Sequence, residues 1–316
     1  MNLFFLVDIV IFSVFFTFFV FEISTIIASI VSYGDYTKSI RRLFLPLWEI
    51  IGTFAVFYVV NFEATFPTLL NVVGYIFIVP VLSGALLFIL RNIFLVYSEY
   101  ESDGILQKKY VRAYAVATLF AAFITVSIFS SGLSGIGVNV SDVSINLLGI
   151  FFNGFNLLVF VSVALLSVFL SVVYFRLRKI WWLGILSVFL SIALMFLGSY
   201  LYAPLLLYGL SSYSILFGTV IAILLVDVML FLLDFRFTRY LSLAWVFLAV
   251  LFVNITRYPY VFGVQANILS YLNNSAISYF ILLITVIGGA LLVVSLFLFV
   301  WISYLRGNGQ KGKRIY

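Results

Sequence analysis

Residues Leu45-Pro-Leu-Trp-Glu-Ile-Ile-Gly-Thr-Phe-Ala-Val-Phe-Tyr-Val-Val-Asn-Phe-Glu-Ala-Thr-Phe-Pro67 form a stretch long and apolar enough to cross a bilayer as one helix. Two carboxylates interrupt it. Glu63 falls near one end, where water can solvate it, whereas Glu49 lies about one turn inside the other end, beside Trp48. An acid in contact with lipid costs roughly 2.5 to 3.5 kcal/mol, so Glu49 is a candidate functional residue. The alternative is that it only marks the interface beside a belt tryptophan.

The composition of the whole chain is that of a membrane protein. Of its 316 residues, 65% are hydrophobic and 9% are charged, and the mean hydropathy is +1.27. One soluble core cannot hide so much apolar surface, so we expect an all-α polytopic membrane protein. The first apolar run has no basic segment before it and no small-residue cleavage site. We therefore interpret it as a retained transmembrane helix and not as a signal peptide.

The chain contains no histidine and no cysteine. It therefore supplies no imidazole or thiolate to haem, copper, zinc or an iron–sulfur cluster. Any transition-metal redox chemistry has to be carried by a partner. Disulfides are excluded as well, and the redox compartment stays open.

Nine apolar runs are long enough to span a bilayer with some tilt. They cover residues 3–32, 45–66, 69–96, 111–131, 146–175, 181–203, 212–235, 240–257 and 277–305. Pro80 falls inside the third run, where it predicts a local kink.

The basic residues test this segmentation independently. If nine helices alternate, 16 of the 17 lysines and arginines fall on one side, and only Arg257 falls on the other. The sixteen are Lys38, Arg41, Arg42, Arg91, Lys108, Lys109, Arg112, Arg176, Arg178, Lys179, Arg236, Arg239, Arg306, Lys311, Lys313 and Arg314. The positive-inside rule then predicts a cytoplasmic C-terminus and an external N-terminus. The net charge of +6 reflects this topology and contact with anionic lipid, not nucleic-acid binding.

The same map divides the chain into three parts. Helices one to four and five to eight run in the same order and orientation, each set with basic connectors after its first and third helix. We therefore predict one four-helix bundle over 1–131, a second over 146–263, and a ninth helix with a basic cytoplasmic tail over 277–316. Two glycosylation-type sequons, beginning at Asn139 and Asn254, fall on the predicted external side.

Acidic side chains within the predicted helices are the main indication of a functional site. Besides Glu49 we single out Glu22 and Asp227. At 1.5 Å per residue, Glu22 lies roughly 15 Å from the cytoplasmic edge and Glu49 roughly 6 Å. Two staggered carboxylates of this kind would suit a water-linked proton path from the cytoplasm. Asp227 is the weaker candidate, because a buried structural acid bonded to a neighbouring hydroxyl explains it as well.

Several short motifs recur together in one known family. Trp48-Glu49 is followed 18 residues on by Phe66-Pro67, and Phe21-Glu22 lies in the first helix. The later matches are Tyr258-Pro259-Tyr260, Tyr304 and Arg306-Gly307. These motifs resemble the Trp-Asp, aromatic-Pro, Asp-Gly-Phe-Asp, Phe-Pro-Tyr and terminal Tyr and Arg-Gly motifs of subunit II of the cytochrome bd-type quinol oxidases. Nine helices, as two four-helix bundles plus one, are also what this resemblance implies.

The sequence departs from the family pattern at several positions. Phe19 stands where the first acid of the first-helix motif would be, and Leu47 replaces the usual His before Trp48. Both surviving acids are Glu instead of Asp. The Gly-Asn-Gln that follows the family's Trp-Asp is Ile50-Ile51-Gly52 here. We therefore expect a divergent member, such as an archaeal one.

The resemblance implies the haem-free subunit of a terminal oxidase in a prokaryotic cell membrane. A partner resembling subunit I would carry the haems, oxidise quinol and reduce oxygen to water, and a small single-helix subunit is a further candidate partner. This chain would carry no catalytic residue. It would stabilise the haem subunit and help deliver cytoplasmic protons, with Glu22, Glu49 and Trp48 as candidates. A structural quinone or lipid could sit between its helices.

Intramembrane acids and a repeat of bundles suit an ion-coupled secondary transporter or channel equally well. Such a protein would need broken helices at matching positions, and only Pro80 comes close. A membrane-embedded enzyme or an assembly scaffold is a third alternative that the sequence leaves open.

Overall fold

A computed structural model describes residues 2–31, 43–101, 104–273, 279–289 and 291 of the chain. Its helices are α1 (Leu3–Val31), α2 (Phe44–Thr65), α3 (Pro67–Tyr100), α4 (Gly104–Ser134), α5 (Leu147–Phe151), α6 (Gly154–Phe175), α7 (Trp181–Tyr202), α8 (Pro204–Ser212), α9 (Ser214–Leu232), α10 (Thr238–Thr256) and α11 (Tyr279–Gly289). Two short antiparallel pairs join β1 (Val138–Asn139) to β2 (Ser144–Ile145) and β3 (Tyr260–Val261) to β4 (Ala266–Asn267).

Eight helical segments of the described chain are long and apolar enough to cross a membrane. They match the first eight predicted runs, with α5 and α6 together forming the fifth. The all-α polytopic class is therefore confirmed. The ninth predicted run is described only as α11. The rest of that run, the connector at 32–42 and the basic tail lie outside the described residues.

Local capping explains where the fifth span is interrupted. The side chain of Asn146 accepts a hydrogen bond from the Gly149 N–H at 3.0 Å and starts α5. Asn153 accepts one from the Asn156 N–H at 2.8 Å and starts α6. Each asparagine satisfies a backbone N–H that a helix start leaves without a partner. The single helix predicted over 146–175 is therefore two helices.

Prolines mark two other helix starts. Pro67 is the first residue of α3 and Pro204 the first residue of α8, positions at which the missing N–H costs no helical hydrogen bond. The helix α8 lies between the sixth and seventh predicted runs, where the hydropathy predicts a connector. Pro80, in contrast, lies inside α3, which continues through it from Pro67 to Tyr100.

One apolar cluster joins the two halves of the chain. Phe16 of α1 and Val126 of α4 pack in the same cluster as Phe155 of α6 and Trp245 of α10. The helices α6 and α7 approach closely at Gly184. A Cβ atom at this position would lie 2.7 Å from the Cβ of Val172, so a larger residue would not fit without a shift. The division into two bundles stays a prediction, but the halves share this core.

The sequon at Asn254 is not accessible in the fold. Asn254 has no exposed surface, and its Nδ2 donates a hydrogen bond to the carbonyl oxygen of Val250 at 2.9 Å. This burial argues against glycosylation at Asn254, and its position on the external side stays a prediction. Asn139 is the last residue of β1, and its Oδ1 accepts hydrogen bonds from Ser141 and Asp142 in the turn to β2.

Candidate functional site

Glu22 lies in the interior of α1 and has no exposed surface. Its Oε2 accepts a hydrogen bond from Nη1 of Arg91 on α3, and its Oε1 accepts one from the hydroxyl of Tyr114 on α4. Both partners are buried as well. One carboxylate thus joins three helices. Because an unpaired charge inside a membrane is costly, such a group persists only where partners of this kind are fixed around it.

Arg91, one of the sixteen basic residues assigned to the cytoplasmic side, does not lie in a connector. The helix α3 runs on to Tyr100, which leaves Arg91 inside the helix and 0% exposed. The pairing with Glu22 explains this position, since each charge offsets the other. The guanidinium carbon also lies 4.2 Å from the centroid of the Phe88 ring, a cation–π contact. Its Nε and Nη2 have no acceptor among the described residues.

Glu49 and Trp48 lie on different sides of α2. The side chain of Glu49 is exposed at the molecular surface, and no described residue forms an ion pair with it. Trp48 is half-buried and packs against the apolar cluster that contains Phe44 and Tyr114. Trp48 therefore reaches the same layer as the hydrogen-bond partner of Glu22. Glu49 remains available to lipid or to another subunit.

Asp227 is fully buried in α9, between the buried side chains of Leu224 and Phe231. Neither of its carboxylate oxygens has a hydrogen-bond partner within the described ranges. The interpretation that a neighbouring hydroxyl satisfies this acid is therefore wrong. Asp227 is also separate from the cluster around Glu22, whose members lie on α1, α3 and α4.

A third buried acid, Asp8, was not predicted. It lies in the first turns of α1 and is 2% exposed, and its Oδ1 accepts a hydrogen bond from Nδ2 of Asn61 on α2. Asp8 Oδ2 and Asn61 Oδ1 have no partner among the described residues. Tyr58 lies within electrostatic range of both Asp8 and Arg257. Arg257 in turn directs Nη1 toward the carbonyl oxygen of Gly132, 3.4 Å away.

A cavity of about 490 Å³ lies among α1, α2, α3 and α4. Tyr58 and Arg257 line it together with Phe88, whose ring carries the Arg91 contact. Most of the wall is apolar, with rings such as Phe12 and Phe129. A cavity with few polar groups does not hold a continuous file of water, but it suits the apolar part of an amphiphilic molecule.

The sequence contained signals for both residues that the predictions misplaced or missed. Asp8 lies within the first predicted span, and Arg91 lies within the third, 69–96. Treating every ionisable residue inside a predicted span as a functional candidate would have found both. No comparable rule connects Arg91 to Glu22, because the two residues are 69 positions apart in the chain.

No protein-family model matches this sequence, and no curated protein matches it. Chains of known structure do match its fold. One of them belongs to the bd oxidase from Geobacillus thermodenitrificans and matches with a TM-score of 0.75 and 18% sequence identity. The match covers 95% of this chain and 98% of that chain. This protein therefore has the polytopic helical fold of a chain found in a bd oxidase.

Proposed function

We propose that this chain is the haem-free membrane subunit of a bd-type terminal quinol oxidase, in the position of subunit II. The observation that carries the proposal is the fold match, which covers nearly the full length of both chains. The motifs at Trp48-Glu49 and Phe66-Pro67 support subunit II, since they resemble those of that subunit. A chain without histidine or cysteine also suits a complex whose haems are held by a partner.

The complex would sit in a prokaryotic cell membrane, with the N-terminus of this chain outside and its C-terminus in the cytoplasm. The partner would be a haem-bearing, subunit I-like protein that oxidises quinol and reduces oxygen to water. A small single-helix subunit is a further candidate. The many exposed apolar side chains of α3, such as Leu82 and Leu86, are available for a partner or for lipid.

In this proposal two acids contribute to a cytoplasmic proton path. Glu49 is exposed on the surface of this chain, so it could exchange protons with a water or a group on the haem subunit. Glu22 lies deeper, where the Tyr114 hydroxyl provides a hydrogen-bonded step and Arg91 balances the charge. Trp48 packs against the apolar cluster that contains Tyr114, the partner of Glu22. Asp227 remains the weaker candidate, because nothing described connects it to the others.

A structural quinone or lipid fits the cavity of about 490 Å³. The apolar wall would hold its hydrocarbon part. Tyr58 and Arg257 are the groups that would hold its polar head, since a phenol and a guanidinium both donate hydrogen bonds. This chain offers no histidine or cysteine ligand to a haem iron. The quinone or lipid in this cavity would therefore have a structural role.

An ion-coupled transporter or channel has less support. Its mechanism would need helices broken at matching positions in the two halves. The break between α5 and α6 has no counterpart in α1, which is continuous from Leu3 to Val31. The helix α3 is also continuous through Pro80.

Co-purification tests the division of labour. The full chain, expressed alone, should show no haem absorption, and the chain purified from its native membrane should bring with it a larger haem-containing subunit. A stoichiometric b-type absorption band from the isolated chain would contradict the proposal. Purification without any haem protein would favour the transporter.

Oxygen consumption per haem tests the proton path in the assembled complex. Glu49→Gln removes a titratable group from the surface, and its control is Glu63→Gln at the other end of the same helix. For Glu22 the informative variant is Glu22→Gln combined with Arg91→Gln, because the single change would leave a buried cation without its partner. We expect turnover to fall in Glu49→Gln and in the double variant, with haem content retained. Unchanged turnover per haem in both would reject the path.

A further inference from the structure

Two connections of the second half of the chain meet in a basic patch. One connection joins α6 to α7 and the other joins α9 to α10. The patch consists of Arg176, Arg178, Lys179 and Arg236 in these connections and Arg239 in the first turn of α10. Arg176 donates a hydrogen bond through Nη2 to the carbonyl oxygen of Asp234 at 2.6 Å. Arg176 and Arg178 also both donate to Oδ1 of Asp234, so this aspartate holds the two connections together.

The patch carries more positive charge than this one acid neutralises. Arg236 and Arg239 are exposed, and no carboxylate in the described part of the chain pairs with them. The hydrogen bond from Arg178 holds the pKa of Asp234 below its ordinary value. Burial lowers the pKa of Arg176, and the three neighbouring arginines lower it further, against the effect of Asp234. The arginines are therefore close enough to repel one another.

Exposed aromatic side chains surround the patch. Trp181 and Trp182 begin α7 directly after it and are 44% and 52% exposed. Phe235 and Phe237 in the other connection, and Tyr240 in the first turn of α10, are at least half exposed. Tryptophan and tyrosine favour the level of the lipid headgroups. The patch therefore combines exposed arginines with aromatic side chains of the kind that favour the headgroup level.

We propose that the basic patch is a binding site for the phosphate of an anionic phospholipid. Arg236 and Arg239 are its main donors, because their guanidinium groups are exposed. Asp234 positions Arg176 and Arg178 beside them by accepting from both. The exposed aromatic side chains contact the glycerol and upper acyl region of the same lipid. A guanidinium pair matches a phosphate diester in both charge and hydrogen-bond geometry. The site is independent of the proposed oxidase role.

Native mass spectrometry of the full chain in neutral detergent tests the site. The titrant is phosphatidylglycerol, compared with phosphatidylcholine. The variant is Arg236→Gln with Arg239→Gln. Its control is Lys109→Gln with Arg112→Gln, which removes two exposed cations from the first turns of α4. We expect the patch variant to bind phosphatidylglycerol about 30-fold more weakly, the change that corresponds to about 2 kcal/mol for two surface cations.

The control variant should bind phosphatidylglycerol as tightly as the unchanged chain does. Both variants should bind phosphatidylcholine as the unchanged chain does. An equal loss in the control would show a general charge effect and overturn the proposal. Displacement of the lipid by millimolar inorganic phosphate would show a free-anion site and would overturn it too.

Tryptophan quenching gives a second measurement that needs no arginine variant. Acyl-brominated phosphatidylglycerol at low mole fraction should quench the tryptophan fluorescence of the unchanged chain more than brominated phosphatidylcholine does. The excess should disappear when Trp181 and Trp182 are both replaced by Phe. Equal quenching by the two lipids would reject a specific site.

Discussion

The buried pair of Glu22 and Arg91 allows a quantitative test of the interior. Both side chains are 0% exposed and they pair directly, so replacing either one leaves the other charge buried without compensation. Breaking a buried pair in this way typically costs about 3 to 5 kcal/mol. At roughly 2 to 4 °C per kcal/mol, each single variant should melt about 6 to 20 °C below the unchanged chain.

The double variant, Glu22→Gln with Arg91→Gln, separates charge from packing. Two amides can hydrogen-bond to each other and to Tyr114 without burying any net charge, so at least half of the lost stability should return. The assay is thermal unfolding of the purified full chain in detergent, followed by the fluorescence of its five tryptophans. The control is Glu63→Gln, an exposed position where we expect a change within about 0.5 kcal/mol. Losses that simply add in the double variant would refute a direct coupling of the two charges.

Three further predictions concern packing, pH and topology. Gly209→Ala should destabilise the chain by about 1 to 3 kcal/mol, because the new Cβ would lie 2.3 Å from a backbone carbonyl oxygen of α10. Gly218 has open space around it, so Gly218→Ala should be neutral or stabilising in the same melting assay. Because the pKa of Asp234 is lowered in the folded chain, its contribution to stability is present above the ordinary pKa of 3.8 and is lost as the pH falls through the folded value. The small difference in melting temperature between the unchanged chain and Asp234→Asn should therefore shrink below about pH 4. Because the chain has no cysteine, Lys179→Cys should react with an impermeant thiol reagent only from the cytoplasmic side and Tyr208→Cys only from outside, and labelling of position 179 from outside would overturn the predicted orientation.

Hydropathy predicted the spans well but not the full lengths of the helices. The fourth run was predicted over 111–131, whereas α4 extends from Gly104 to Ser134. Its first turns carry Lys108, Lys109 and Arg112, which are polar enough to leave the bilayer but do not end a helix. A hydropathy window measures the apolar length of a segment, and the helix itself continues until its backbone hydrogen bonds stop.

The candidate site was predictable in part, and for physical reasons. An acid inside an apolar run is visible in any sequence, which is why Glu22 and Glu49 were found. Their environments were not predictable, because the sequence does not fix which helix faces meet. Glu22 turned out to be paired with residues 69 and 92 positions away, and Glu49 to be on the surface.

The cluster around Glu22 also sets a condition on how the protein is made. Arg91 leaves the ribosome 69 residues after Glu22. At a synthesis rate of roughly 5 to 20 residues per second, Arg91 is therefore synthesised about 3 to 14 s after Glu22. During that interval the carboxyl group faces lipid or the insertion machinery without its partner, at a cost of roughly 2.5 to 3.5 kcal/mol if it is in contact with lipid. The first helix would then settle in its final place only after the third and fourth helices have entered the membrane.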